Sequence, residues 1–493
     1  MTIESMRVLT PIIITMISPL FVWLLRHDEN KREAVSFVAA VAALLATLSM
    51  VPKVLDGHIW TYTLSEILPG IKIAFAVDGL SCIFAIVATF LWFLATSYNI
   101  GYMRSLKEHA QTRYYFCFAV AIFGAVGVAF SANVFTLYLF YEVITVFTYP
   151  LVAHHQDEEA YTGARKYLVY LMGTSKLFLL TAMVMTYVLC GTLDFQLGDI
   201  ITGMPFPVQE HPIAVSVTYF LFLFGLAKAA IMPLHNWLPS AMVAPTPVSA
   251  LLHAVAVVKA GVFSISRIIL SGFGLETMET LNLGLPTAYL AAFTIVAASI
   301  IALTKNDLKA RLAYSTVSQL SYIILGVSLL TPLAVTGGVA HIAHHAFSKI
   351  TLFFAAGAIY VATHEKKIDR MNGFGRRMPW TFGAFALASL SMIGMPPVCG
   401  FVTKWYLITG SMQAGQTAIL VALLGSTILN AGYFGPIVYR AFFKKPVDGV
   451  DLSTIGEAPM SMVVPLFATG IISVLLGLFP GTFLSFIQVF GKF

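Results

Sequence analysis

The sequence predicts an all-α polytopic membrane protein of about fourteen transmembrane helices. Three observations carry this. Of 493 residues, 58% are hydrophobic and 11% charged, with a mean hydropathy of +0.85, so the chain cannot clothe itself in a charged, water-facing surface. Apolar windows of about 18 residues or more recur from end to end. The basic residues fall mostly in alternate loops between those windows.

In order, the windows lie at 8–25, 34–51, 78–98, 114–131, 133–152, 167–190, 213–234, 248–270, 286–304, 312–330, 335–360, 380–408, 416–440 and 461–488. The boundary between the fourth and fifth is soft, running through Ser131, Ala132 and Asn133. The first window lacks a charged leader and a small-residue cleavage site, so it reads as a retained helix rather than a signal peptide. The longest polar connection is near 191–212, and no stretch resembles a linker to a soluble domain, so residues 1–493 read as a single transmembrane domain. Cys82, Cys117, Cys190 and Cys399 stand singly, without the spacings that hold zinc or iron–sulfur centres, so no cofactor and no metal is expected.

Of the 29 Lys and Arg, nineteen lie in the odd-numbered loops. Five (Arg7, Lys53, Lys72, Arg267 and Lys492) lie in the even loops and termini. Basic loops stay in the cytoplasm, which places both termini on the non-cytoplasmic side of the cell's inner membrane. The remaining five are all lysines inside windows: Lys176, Lys228, Lys259, Lys349 and Lys404. An ammonium at mid-bilayer costs about 2.5–3.5 kcal/mol on insertion scales. Lysine, unlike arginine, can surrender its proton when desolvated, so a set drawn from Lys alone points to proton exchange. Glu142 is the one acid in mid-window, and Asp78 reads as a helix-start acid. His253 joins the buried set, and in "HIAHHAFSK" His341, His345 and Lys349 share one helix face. Each of these residues also has a plainer role open to it. Lysines near helix ends can snorkel to the headgroups, which applies most to Lys176 and Lys349; Glu142 and the histidines can serve as structural hydrogen-bonders.

An internal repeat adds topology. "GTSKLFLLTAMVMTY" (173–187) aligns with "AFSKITLFFAAGAIY" (346–360), and Lys176 precedes Lys228 by nearly the interval at which Lys349 precedes Lys404. A shift of five helices inverts one copy relative to the other in the bilayer. Both copies carry prolines that break a helix beside the second lysine: Pro233 frees the carbonyl of Ala229, while Pro396 and Pro397 free those of Met392 and Ile393. Freed carbonyls survive in a membrane only where protein or water satisfies them.

Together with Glu142, Lys228 and Lys404, the stretch "LHNWLPSAMVAPTPVSALLHAVAVVKAG" (234–261) resembles the proton-conducting antiporter-like subunits of complex I, membrane-bound hydrogenases and Mrp-type cation/proton antiporters. The resemblance covers roughly residues 75–445, and "YEVITVFTYPLV" makes the chain most similar to the D subunits of Mrp antiporters. It implies N-terminal helices 1–3 over 1–110, inverted repeats of helices 4–8 (111–272) and 9–13 (284–445) with helices 7 and 12 broken, and helix 14 in 446–493. It also implies that Glu142 pairs with Lys228, that Lys259 with His253 links the halves, and that Lys404 serves the second half-channel. The second repeat has no carboxylate at the counterpart of Glu142, which is Ser315.

The implied function is proton translocation through two half-channels joined by a Lys/Glu/His axis, with His341, His345, Lys349 and Lys176 as secondary relays. The chain would act within a larger complex, without its own redox or nucleotide site, and would belong to a translocase if that complex is redox-driven. Partners would be other membrane subunits and the lipid bilayer, and not nucleic acid. One carboxylate among five amines suits sodium poorly, so sodium, if exchanged, needs ligands from a neighbouring protein of the complex. The alternatives are a proton-pumping component of a redox-driven complex, a stand-alone solute transporter, and a structural or quinone-contacting component.

Overall fold

The computed structural model describes residues 1–447 and 451–491, with the side chains of 251–254 outside the description. Among the described residues eleven helices are long and apolar enough to cross a membrane, from Met6–Leu24 to Met460–Leu478. Pro212–Gly225 and Pro379–Ile393 are shorter because proline-containing breaks follow them. The Leu308–Ser328 helix has the length but is more polar, carrying Ser315, Thr316, Ser318, Gln319 and Ser321, all buried against neighbouring helices. The chain is a multi-pass helical membrane protein.

Side-chain caps fix several helix starts. Asp28, Asp78, Asn133, Asp157 and Asp307 each accept a hydrogen bond from a backbone N–H in the first turn of the helix that follows. Asn133 thereby settles the soft boundary: its Oδ1 accepts from Thr136 N at 2.7 Å, separating Gln111–Ala129 from Val134–Val152. The window at 461–488 is interrupted, with Met460–Leu478 ending before Pro480 and Gly481–Gly491 forming a separate helix.

The helical windows do not foresee a small sheet. Thr2–Glu4 pairs in parallel with Ile59–Leu68, which pairs antiparallel with Ile71–Val77. The segment Ile59–Leu68 is rich in β-branched and aromatic residues, and the turn into the next strand uses Gly70 at φ +77°.

The expectation that no arginine joins the buried amines is corrected. Arg267, counted with the even loops although it falls near the end of the 248–270 window, ends the fully buried Val257–Arg267 helix and is 1% exposed. Its guanidinium donates to both carboxylate oxygens of Asp78, at 2.6 and 2.8 Å, and to Ser81 Oγ at 3.0 Å and Ser271 Oγ at 3.3 Å. A planar fork against a planar carboxylate is the geometry that makes a permanently charged group tolerable in the interior. Asp78 therefore both caps Gly79–Ser105 and ties that helix to Val257–Arg267.

Replacing Asp78 by Leu should destabilise the chain by about 3–5 kcal/mol, because it strands a buried guanidinium. Asp78→Leu combined with Arg267→Met should recover most of that loss, read as the shift in unfolding along a graded denaturing-detergent titration.

Candidate proton path through buried lysines

The helix Val134–Val152 sets Tyr138, Tyr141, Glu142 and Thr145 on one face, at helical spacing. Next to it the long Glu158–Cys190 segment is interrupted by a π-helical turn, Ser175–Leu179. That turn brings Ser175 and Lys176 against Glu142: the Ser175 hydroxyl donates to Glu142 Oε1, Lys176 Nζ lies 3.3 Å from Oε2, and Nζ also donates to the Tyr138 hydroxyl at 2.6 Å. Glu142 is 13% exposed and Lys176 48% exposed, so this ion pair sits at the flank of the bundle rather than deep inside it.

Lys228 is fully buried in the short turn Ala227–Ala229 that follows the end of the Pro212–Gly225 helix. Its ammonium donates to the Tyr141 carbonyl at 2.8 Å and Thr145 Oγ1 at 2.7 Å, while its backbone N–H donates to the Tyr141 hydroxyl at 3.1 Å. The implied Glu142–Lys228 contact is thus corrected: Lys176 takes the carboxylate, and neutral oxygens hold Lys228.

Helix Val257–Arg267 passes close to this break. A Cβ on Gly261 would lie 2.2 Å from Ala229 N, so only glycine permits the approach. Two residues earlier, Lys259 is fully buried, and its Nζ has no hydrogen-bond partner among the described residues. The side chain of His253, its expected companion, lies outside those residues. His345 sits one turn from His341 on the same helix, with ring centroids 5.8 Å apart, on the side of the bundle that holds Lys259 and Lys349. His341 contacts Thr403 Oγ1 at 2.9 Å and Gln319 Oε1 at 3.0 Å.

Lys349, fully buried, donates to Ser315 Oγ at 2.7 Å, so the residue aligned in sequence with Glu142 meets the residue aligned with Lys176. Lys404, on the Cys399–Gln413 helix, donates to the Met392 and Ile393 carbonyls, both at 2.9 Å, and to Thr427 Oγ1 at 3.3 Å. Those are the two carbonyls that Pro396 and Pro397 free. In the first repeat the break works differently: the Trp237 indole donates to the Ala227 carbonyl at 3.0 Å.

Lys259, Lys349, His341, His345 and Lys404 are therefore gathered in the buried centre and second half, Lys228 lies across the Gly261 contact, and Lys176 stands at the flank. Tyr141, Thr145, Gln319, Thr403, Asn430 and Tyr433 complete this polar track, and sequence patterning does not single them out. Gln319 and Asn430, amides within membrane helices, are the visible signal. Where the basic loops cluster, a cavity of about 580 Å³ is lined by Glu108, His155, Asp307, Lys309 and Lys366 and reaches Thr246, the first residue of the helical segment leading to Lys259.

Residues 131–430 match the family described as NADH:quinone oxidoreductase/Mrp antiporter, transmembrane, and residues 69–115 match the N-terminus of complex I chain 5. The chain belongs to this oxidoreductase/antiporter family. Among its relatives is the N subunit of the NADH-quinone oxidoreductase of Desulforudis audaxviator, 32% identical over 90% of this chain and 89% of the relative. A probable K+/H+ antiporter protein of Rhizobium meliloti, its A/B subunit, is 30% identical over 92% of this chain, which spans 45% of that longer protein. Two solved structures share the fold with a TM-score of 0.87. One is the Mrp complex of Dietzia sp. (22% identity, covering 98% of this chain and 97% of that one). The other is an archaeal membrane-bound sulfane sulfur reductase (24% identity, 99% and 97%).

Thr145→Val keeps the shape of the Lys228 site but removes one acceptor from a buried ammonium. It should cost about 1.5–3 kcal/mol, whereas Thr181→Val on the exposed face of the Glu158–Cys190 segment should stay within about 0.5 kcal/mol. Unfolding midpoints of the two variants in the same detergent series make the comparison.

Proposed function

We propose that the chain is the proton-translocating, antiporter-like subunit of a multisubunit membrane complex, working alongside other membrane subunits. The observation that supports this is that Lys228, Lys259, Lys349 and Lys404 are buried and meet carbonyl and hydroxyl oxygens, or no partner among the described residues, instead of carboxylates. An ion pair would lock an ammonium in its charged form. A carbonyl or hydroxyl leaves the neutral amine accessible, and a hydroxyl can also return a proton.

In this reading protons pass from the cavity at the basic end towards Lys259 and along His345, Lys349, His341 and Lys404, with Lys228 serving the first half-channel. Glu142 acts as a switch. While Lys176 holds the carboxylate, its field at Lys228 is partly cancelled; when that pair parts, the carboxylate stabilises the charged form of Lys228. One unit pair at 4 Å is worth about 4 kcal/mol at an effective dielectric of 20, enough to decide whether a lysine keeps its proton. The two repeats, 111–272 and 284–445, with 1–110 and 446–493 at their flanks, would carry the two half-channels. The excess of basic residues in the odd loops supports a cytoplasmic-membrane location with both termini outside.

Two parents are in play. "YEVITVFTYPLV" favours an Mrp-type Na+/H+ antiporter, with this chain as its D subunit, whereas the near full-length likeness to an oxidoreductase N subunit favours a redox-driven complex. Co-purifying iron–sulfur or nickel proteins would establish the second.

Lys228→Ala should abolish proton movement by the complex in sealed vesicles, read with a pH-sensitive dye, while assembly of the complex on native gels is unchanged. Full activity in that variant would remove Lys228 from the path and overturn the reading of the first half-channel.

A further inference from the structure

Two loops meet at the basic end. One, residues 106–110, joins the helices Gly79–Ser105 and Gln111–Ala129; the other, residues 153–157, follows Val134–Val152. Their facing side chains form a cluster at the edge of the cavity, apart from the buried lysines. Donor atoms of Glu108, His109 and His154 all lie within 4.8 Å of one another. Glu108 Oε2 is 3.6 Å from His154 Nε2 and 3.7 Å from His155 Nδ1, and the His109 and His154 rings stack obliquely with centroids 4.8 Å apart.

The second observation is His154 itself. Its side chain is fully buried, yet neither ring nitrogen has a hydrogen-bond partner among the described residues. Buried imidazole nitrogens are ordinarily paired, so a ring with two orphaned nitrogens facing a carboxylate and another imidazole is a site that a ligand would complete. The nearby Arg113 guanidinium turns to the His154 carbonyl, at 3.0 Å, rather than to the ring.

We propose that Glu108, His109 and His154 form a binding site for a divalent transition-metal ion of the zinc class, with His155 or water in the fourth position. The donor set decides the class: imidazole nitrogens with one carboxylate suit zinc and disfavour calcium or magnesium, which take oxygen ligands. Zinc bonds of about 2.0–2.2 Å place tetrahedral donors about 3.3 Å apart. The present spacing closes to that with a side-chain rotation of the exposed His109.

The consequence rests on the proton-path reading. Glu108 and His155 line the 580 Å³ cavity, so zinc held by them neutralises its acidic wall and stiffens its rim. Zinc binding should therefore slow proton movement from this side.

The test titrates Zn2+ into the purified complex containing the full chain, using a chromophoric chelator as competitor and Mg2+ as the control ion. One zinc per chain should bind, and His109→Ala and His154→Gln should each weaken it at least tenfold. His109 is exposed, so its variant reports even if the buried substitution disturbs folding. Saturating zinc should slow dye-reported proton movement in the unmodified complex and not in His109→Ala, whose rate without zinc should be unchanged. Affinity that is the same in His109→Ala and Glu108→Gln as in the unmodified protein would overturn the site. Zinc bound with the expected dependence on His109, but without effect on proton movement, would uphold the site and overturn the reading of this cavity as a proton mouth.

Discussion

A membrane interior offers an ammonium group no water, and this constraint organises the chain. Most of the deep lysines take oxygens from the protein, yet a carbonyl inside a helix is already engaged by its own N–H group and offers only a second lone pair, as Tyr141 does to Lys228. The chain resolves this by interrupting helices. The break at 394–398 releases the carbonyls of Met392 and Ile393, and Lys404 folds back to take both. Gly394, at φ +89°, lets the stem of Lys404 pass where a Cβ would lie 2.6 Å from its Cδ. At Lys228 the interruption acts through a neighbour: Tyr141 clasps the broken segment from both ends, with its carbonyl on the ammonium and its hydroxyl on the backbone N–H.

The two halves solve the same problem with different chemistry. Lys176 and Lys349 occupy aligned positions, but the first faces Glu142 and the second Ser315. The first pair is charged and flanks the bundle, where a neighbouring protein could reach it; the second is buried and neutral on one side, with Tyr433 also donating to Ser315 at 3.2 Å. A carboxylate in the second half would have fixed Lys349 as an ion. In the proposed proton path, this charge asymmetry would make the two corresponding sites differ in their affinity for a proton.

Permanent charge is used differently. Arg267 and Asp78 form a bidentate pair that joins the Gly79–Ser105 helix to the helix carrying Lys259. It holds the scaffold, and in the proposed path the amines change state around it, a division of labour that follows from guanidinium keeping its proton where an ammonium can lose it.

The helical membrane class, the positions of most helices, the buried lysines and the two proline breaks were legible in the sequence, because hydropathy and the intolerance of helices for proline are local properties. Counting along the repeat identified Ser315 as the counterpart of Glu142, but not that it would meet Lys349. The partners of the amines were not legible. That Glu142 would hold Lys176 instead of Lys228 depends on a π-helical turn at Ser175–Leu179, and that Arg267 is interior depends on Asp78, 189 positions away in the chain. The sheet at 59–77 and the meeting of Glu108, His109 and His154 likewise arise from segments brought together by folding. Local composition decides what the bilayer accepts. Only the packed arrangement decides which oxygen each buried charge finds, since hydrogen bonds and ion pairs act over a few ångströms and carry no memory of sequence separation.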